Sequence, residues 1–218
     1  MKGKYTYIVG IDEAGRGPLA GPVAVGAFVV TRTVLVTLPK LFKGARDSKK
    51  MTAGKREEIF AKIKEATRRG KAMACFAGTT ARRARRGNIN YCVVMQSAKV
   101  IDTKGLSWVI KDSIKKCLHK LKVDPKKTLV LLDGGIKAPA EFVYQKTIIK
   151  GDDKELVISL ASIAAKVTRD KHMMLMTKKY PRYGFEKHKG YGTVIHRNAI
   201  RKHGASEIHR KTFLRNIV

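Results

Sequence analysis

Asp12 and Glu13 close a short apolar run, Tyr5-Thr6-Tyr7-Ile8-Val9-Gly10-Ile11, and stand directly before Ala14-Gly15-Arg16-Gly17-Pro18. A run of that length and composition reads as a strand entering a core. Two adjacent carboxylates at its end are costly unless something cationic waits there. Glycines on either side of an arginine let the backbone come close to a ligand. A divalent metal beside a phosphate explains all three features.

Two more acids share this context. Asp133 follows Thr128-Leu129-Val130-Leu131-Leu132 and precedes Gly134-Gly135, and Asp152 follows Lys150-Gly151. In open sheets, ligands collect outside the carboxyl ends of strands. Asp12, Glu13, Asp133 and Asp152 are therefore expected to converge on one spot. Uncompensated, they would repel and be driven neutral. Two divalent cations would neutralise them, and all-oxygen ligation suits Mg²⁺ or Mn²⁺. Successive strand side chains point to opposite faces, so Asp12 and Glu13 share a site only if the strand breaks at Glu13. Taken singly, each acid is also what a turn or a helix cap uses, Asp133 before its Gly-Gly above all.

Other chemistries lack their residues. The six histidines form no His-x-x-x-His pair and have no cysteine partners at zinc spacing. No Gly-x-Ser-x-Gly elbow and no phosphate-binding loop of the nucleotide-hydrolase type occurs. Cys75, Cys92 and Cys117 lie far apart and read as reduced core residues of a cytoplasmic protein.

The elements that must carry these acids fit one domain with a core, or one domain with a small appendage. The chain has 218 residues, 44% of them hydrophobic. Its net charge of +30 attracts polyanions: nucleic acid first, an anionic membrane surface second. A generally basic, solvated surface is the plainer account of that charge. No apolar run approaches the ~18 residues of a spanning helix. Met1-Lys2-Gly3-Lys4 leads into the first strand without a signal-peptide core.

Strands are expected at 5–12, 23–30, 72–78, 128–132 and 143–149. Helices are expected at 53–68, capped by Thr52 and followed by Gly70, and at 88–101, 106–121 and 154–172. The order argues an α/β fold, a mixed sheet flanked by helices over residues 1–172. From Lys171 onward the chain holds twelve Lys and Arg against Glu186 and Glu207, so 173–218 reads as a basic helical appendage packed on that domain.

At the level of motifs the chain resembles ribonuclease HII, the type 2 ribonuclease H. Gly10-Ile11-Asp12-Glu13-Ala14-Gly15-Arg16-Gly17-Pro18-Leu19-Ala20-Gly21-Pro22-Val23 matches the family's first motif almost letter for letter. Asp47-Ser48-Lys49-Lys50, Leu132-Asp133-Gly134 and Lys150-Gly151-Asp152 match the next three, the last continuing in the stretch from Ser159 to Asp170. Tyr183-Gly184-Phe185, His188-Lys189-Gly190-Tyr191-Gly192-Thr193 and His209-Arg210-Lys211-Thr212-Phe213 match its C-terminal block. The matches run in order over essentially the whole chain.

The resemblance implies a ribonuclease H-like fold and hydrolysis of the RNA strand in RNA–DNA hybrids. It implies incision 5′ of single ribonucleotides in duplex DNA, by two Mg²⁺ or Mn²⁺ ions held by Asp12, Glu13, Asp133 and Asp152. Gly15, Arg16, Gly17 and Tyr191 stand where the family reads the ribonucleotide. Ser48, Lys49, Asn88, Ser162 and Lys166 fall on positions expected near the substrate or active site, and Asp170 on a supporting one. The implied protein is a cytoplasmic monomer. Arg85 stands where the family usually has an acid, three positions before Asn88-Ile89. Arg16 and Pro18, with only seven residues before Ile8, set the type HIII relatives aside. The clamp-binding tail of some relatives has no clear counterpart in 213–218.

Two rivals share some of these features. A non-catalytic basic RNA-binding protein accounts for the charge but has no use for acids at three strand ends. A DNA nuclease of related fold keeps the metals but not the Gly-Arg-Gly segment or Tyr191.

No acid lies between Glu65 and Asp102, and Arg82-Arg83-Ala84-Arg85-Arg86 sits within that stretch. If the cluster touches duplex phosphates, replacing its four arginines by alanine flattens the log–log salt dependence of binding by about 0.9 for each phosphate no longer neutralised. A salt titration of duplex affinity measures this. An unchanged slope assigns the cluster to a solvated face.

Overall fold

The computed structural model describes residues 4–45, 51–76 and 89–215. Five strands form one sheet in the order β3-β2-β1-β4-β5. β1 (Tyr7–Ala14) is central, with β2 (Val23–Thr31) antiparallel on one side. After two single-turn helices, α1 (Arg32–Leu35) and α2 (Leu38–Leu41), comes α3 (Ala53–Phe76). Thr52 caps α3 as expected, its hydroxyl accepting from the Lys55 amide at 3.2 Å. The helix does not stop at Gly70 but continues to Phe76, through most of the strand expected at 72–78. A glycine inside a helix costs only about 1 kcal/mol relative to alanine, too little to end it.

The helix expected over 88–101 is instead β3 (Ile89–Gln96) followed by the short α4 (Ala98–Lys104). Ile89, Tyr91, Val93 and Val94 favour a pleated surface, and β3 pairs antiparallel with β2 from Val30↔Ile89 to Val23↔Gln96. Ser97 starts the helix, accepting from the Val100 amide. α5 (Leu106–Leu121) follows and buries the stripe read from its sequence: Val109, Ile110, Ile114, Cys117, Leu118 and Leu121. β4 (Thr128–Asp133) then enters beside β1, and β5 (Tyr144–Ile148) forms the far edge, both parallel to their neighbours. A single turn, α6 (Gly151–Lys154), leads into α7 (Leu156–Lys179).

Alternation along β1 divides the core. Ile8 joins Phe28, Ile59, Ile63, Ile158 and Leu160 on the α7 and α3 face. Val9 and Ile11 join Val25, Ile110, Ile114 and Leu118 on the α5 face. A third cluster unites Leu19 and Ala20 with Met173 of α7, Phe185 of α8 (Phe185–His188) and Ile200 of α9 (Val194–His203).

α7 lies on the sheet backbone to backbone. A Cβ at Gly10 would stand 2.2 Å from the Val157 carbonyl, and one at Gly26 would stand 2.2 Å from the Ala161 oxygen. Neither peptide can yield without lifting the helix. Gly26→Val is therefore expected to destabilise the fold by about 2–4 kcal/mol. Gly54→Ala, whose added methyl meets nothing within 4 Å on α3, should stabilise slightly, by up to about 1 kcal/mol. Denaturant unfolding of the two variants checks the contrast.

Candidate active site

β1 and β4 run parallel and end together. Their last pair is Ile11↔Leu132, so Asp12 and Asp133 come next on adjacent strands. β1 does not break at Glu13, contrary to the sequence expectation; it stays paired with β2 as far as Ala14↔Ala24. Because β4 has already dropped away, both Asp12 and Glu13 line the cleft that opens there. The cleft holds about 440 Å³ and is also lined by Gly15, Arg16, Gly17, Asp133, Ser162, Lys166 and Tyr191. Nine residues singled out from the sequence thus share one wall.

Local hydrogen bonds hold the acids. The Glu13 amide donates to Asp12 Oδ1 at 2.7 Å, and the Gly151 amide donates to Asp133 Oδ1 at 2.7 Å. Arg16 pairs with Glu13 at 2.9 Å. Asp12 is only 4% exposed. Burial first, then the charge of Glu13, with a further push from Asp133, raises its carboxyl from 3.8 to about 8, against the opposing hydrogen bond from Ser162. With Glu13 and Asp133 it makes a set of hard oxygen donors, whose chemistry fits Mg²⁺ or Mn²⁺.

Asp152 is placed differently. It is fully buried in α6 and is not among the residues lining the cleft, although its neighbour Gly151 holds Asp133. Among the described residues, no three His, Cys, Asp or Glu side chains already stand close enough to hold one ion. Three of the four expected ligands line the cleft, and the fourth is buried next in sequence to the glycine that bonds Asp133.

The remaining expectations resolve unevenly. Lys166 ion-pairs with Asp170 at 2.8 Å, which accounts for that acid inside the helix. Tyr191 is 42% exposed, with Lys166 Nζ 5.8 Å and Arg169 Cζ 5.7 Å from its ring centre. His196 holds it by hydrogen-bonding the Tyr191 carbonyl at 2.9 Å; burial lowers that histidine to about 4, so it is a neutral structural group. Ser48, Lys49 and Asn88 lie outside the described residues.

Gly15 has φ +89°, and a Cβ there would meet Arg169 Nε at 2.1 Å, whereas one at Gly17 would meet nothing within 4 Å. The first glycine is thus required by a buried arginine, and the second leaves the cleft open. Arg56 of α3 also lines the cleft and escaped sequence reading. Nothing marks it among forty-seven basic residues. Among the described residues, no helix is long and apolar enough to cross a membrane.

The ribonuclease HII family model matches residues 9–216. The chain is 42% identical over 215 residues to the ribonuclease HII of Caldicellulosiruptor bescii, covering 98% of this chain and 89% of that one. The crystal structure of ribonuclease H2 from Pyrococcus horikoshii superposes with a TM-score of 0.69 at 25% identity, covering 94% and 93% of the two chains. Bst-RNase HIII, solved in complex with Mn²⁺, has the same fold, with a TM-score of 0.60 at 17% identity over 93% of this chain and 64% of that one.

The raised Asp12 carboxyl makes a stability prediction for the metal-free protein. The folded state holds the proton up to about pH 8, whereas the unfolded chain releases it near its ordinary value of 3.8. This contribution is complete below about pH 4 and is lost as the pH rises through 8. Asp12→Asn mimics the neutral form. In chelator at pH 8.5 it should melt above the wild type by about 2–4 °C, with the gap narrowing as the pH falls and closed below about pH 4. Equal melting curves at pH 8.5 would show that Asp12 carries no such penalty.

Proposed function

Since the chain belongs to the ribonuclease HII family, hydrolases acting on RNA in RNA–DNA hybrids, we propose that it also incises duplex DNA at single embedded ribonucleotides. The cut lies on the 5′ side of the ribonucleotide and leaves a 5′-phosphate and a 3′-hydroxyl. The observation that carries this reading is the meeting of Asp12, Glu13 and Asp133 at paired strand ends beside the Gly15-Arg16-Gly17 loop.

Asp12, Glu13 and Asp133, with Asp152 from α6, would hold two Mg²⁺ or Mn²⁺ ions. Such ions, when bound, activate the attacking water and neutralise the phosphate and the leaving oxygen. The protein's own groups do the rest. Ser162 hydrogen-bonds Asp12 from α7. Arg56 and Lys166, both on the cleft wall, neutralise backbone phosphate. Tyr191 offers a ring face to the sugar, held by two cations. Distinguishing RNA from DNA requires contact with the 2′-hydroxyl, both donor and acceptor; the amides of the 15–17 segment can supply it. Ser48, Lys49 and Asn88 complete the proposed substrate contacts. The same reading makes 173–218 an appendage of a catalytic unit at 1–172, in a cytoplasmic monomer.

A DNA duplex with one ribonucleotide, incubated with and without Mg²⁺, tests the reading directly. Incision should need the cation and should spare the all-DNA duplex. Asp12→Asn and Asp133→Asn should each lose more than about tenfold, or ~1.4 kcal/mol of transition-state stabilisation, while still binding duplex. Tyr191→Ala should harm the single-ribonucleotide substrate more than a long hybrid, where other registers remain available. Full activity in Asp133→Asn would remove that residue from the ligand set.

A further inference from the structure

Two fully buried arginines lie beneath the loop that leaves β1. Arg210 donates to the carbonyls of Gly15, Arg16 and Gly21 at 2.6, 2.8 and 3.0 Å. Arg169 donates to those of Pro22, Ala20 and Lys189 at 2.9, 3.2 and 3.0 Å. Both side chains are 0% exposed, and among the described residues neither forms an ion pair with an acid. Burying two like charges side by side is expensive. Burial pushes both guanidiniums down, Arg210 to about 9 with Arg169 adding to the shift. Six inward-turned carbonyls are what hold them there.

Those carbonyls fix where the amides point. In a planar trans peptide, N–H and C=O project in opposite directions. The Gly15 carbonyl belongs to the peptide whose amide is that of Arg16, and the Arg16 carbonyl to the peptide whose amide is that of Gly17. Drawing both carbonyls down onto Arg210 turns both amides away from it. Among the described residues those amides donate to nothing, and Arg16 and Gly17 line the cleft. A Gly17 side chain would have met open space.

We propose that Arg210, seconded by Arg169, is the positioning residue for ribose recognition. It locks two consecutive peptide planes so that the Arg16 and Gly17 amides form a paired donor site for the ribose 2′-oxygen. The inference rests on the ribonucleotide-incising reading of the cleft. An arginine is needed because its fork spans both ends of the loop, Nη1 and Nη2 at 15–16 and Nε at 21; a lysine has one point of contact. Arg210 is itself pinned, since its amide donates to the Leu19 carbonyl at 2.8 Å and the adjacent His209 bridges Ala20. Arg169 couples the device to Tyr191 by lying over its ring and bonding Lys189. The C-terminal segment would thereby set substrate specificity without touching the substrate.

The test compares duplex binding in the cleavage-deficient Asp133→Asn background, with and without one ribonucleotide in the same sequence. Adding Arg210→Lys should cut the preference for the ribonucleotide by at least about tenfold, the scale of a buried polar group left unpaired. Affinity for the all-DNA duplex should stay within about twofold, because the charge and phosphate contacts remain. Arg182→Lys, on the exposed turn after α7, should leave both unchanged. A structural role alone would weaken both duplexes together. Should Arg210→Lys fail to fold, the otherwise unaltered background protein still decides: its Arg16 and Gly17 amide NMR signals should move with the ribonucleotide duplex and not with the all-DNA one. Retained preference in Arg210→Lys, or equal amide shifts with both duplexes, overturns the inference while leaving the cleft reading intact. No ribonucleotide preference in that background protein overturns both.

Discussion

The close approach of α7 to the sheet is the constraint on which the cleft depends. At Gly10 and Gly26 the helix backbone occupies the space of missing side chains. Parity along β1 then sends Asp12 to the same face as Ile8 and Gly10. Ser162 meets it there, and the low helix roofs it over; that is why the carboxylate is buried. The same helix carries Lys166, Arg169 and Met173 on successive turns of one face. Lys166 reaches the cleft, Arg169 the loop at 15–22, and Met173 the third core cluster. One rigid element thus sets the position of the acids, the loop and Tyr191 together.

Charge is distributed against the grain of composition. A chain of net charge +30 lines one cleft with three of its scarce acids, and one of them is driven toward neutrality. Such a pocket within a basic surface draws in a polyanion and a small cation at the same place. Beneath the neighbouring loop the arrangement is reversed, with two cations held by carbonyl oxygens rather than by acids. Backbone dipoles are fixed by the fold and present no competing anionic group to a phosphate. An acid in that position would repel the substrate from the loop.

The glycines of the 15–17 segment divide their duties. The sequence pattern suggests that both grant a ligand close access. Gly15 instead makes room for Arg169 and adopts a left-handed backbone that other residues resist. Both line the cleft, but only at Gly17 would a side chain meet open space. A side chain at Gly15 would therefore act first by displacing the buried arginine, and through it Tyr191 and the loop carbonyls.

Much of this protein is legible from its residues because local chemistry is enough to specify it. The apolar run of β4 and the stripe of α5 announce themselves by periodicity. The acids at the ends of β1 and β4 announce themselves by their cost. The Arg16 and Tyr191 motifs are specific enough to place both at the same cleft. Other features depended on partners distant in the chain. Ile89 to Gln96 is a strand because β2 offers an edge, and α3 outruns Gly70 because one glycine is a weak stop. Glu13 reaches the cleft without a strand break because β4 ends first, a matter of register between segments far apart in the chain. Asp152, alike in sequence context, is buried on the single turn of α6 after β5 has ended and does not line the cleft. Arg169 and Arg210 fall inside the matched motifs, but nothing in those motifs tells what the two side chains hold. Only the packing of α7 and the C-terminal segment against residues 15–22 turns them into the support of the loop, since what they bind is backbone, which carries no mark in the sequence.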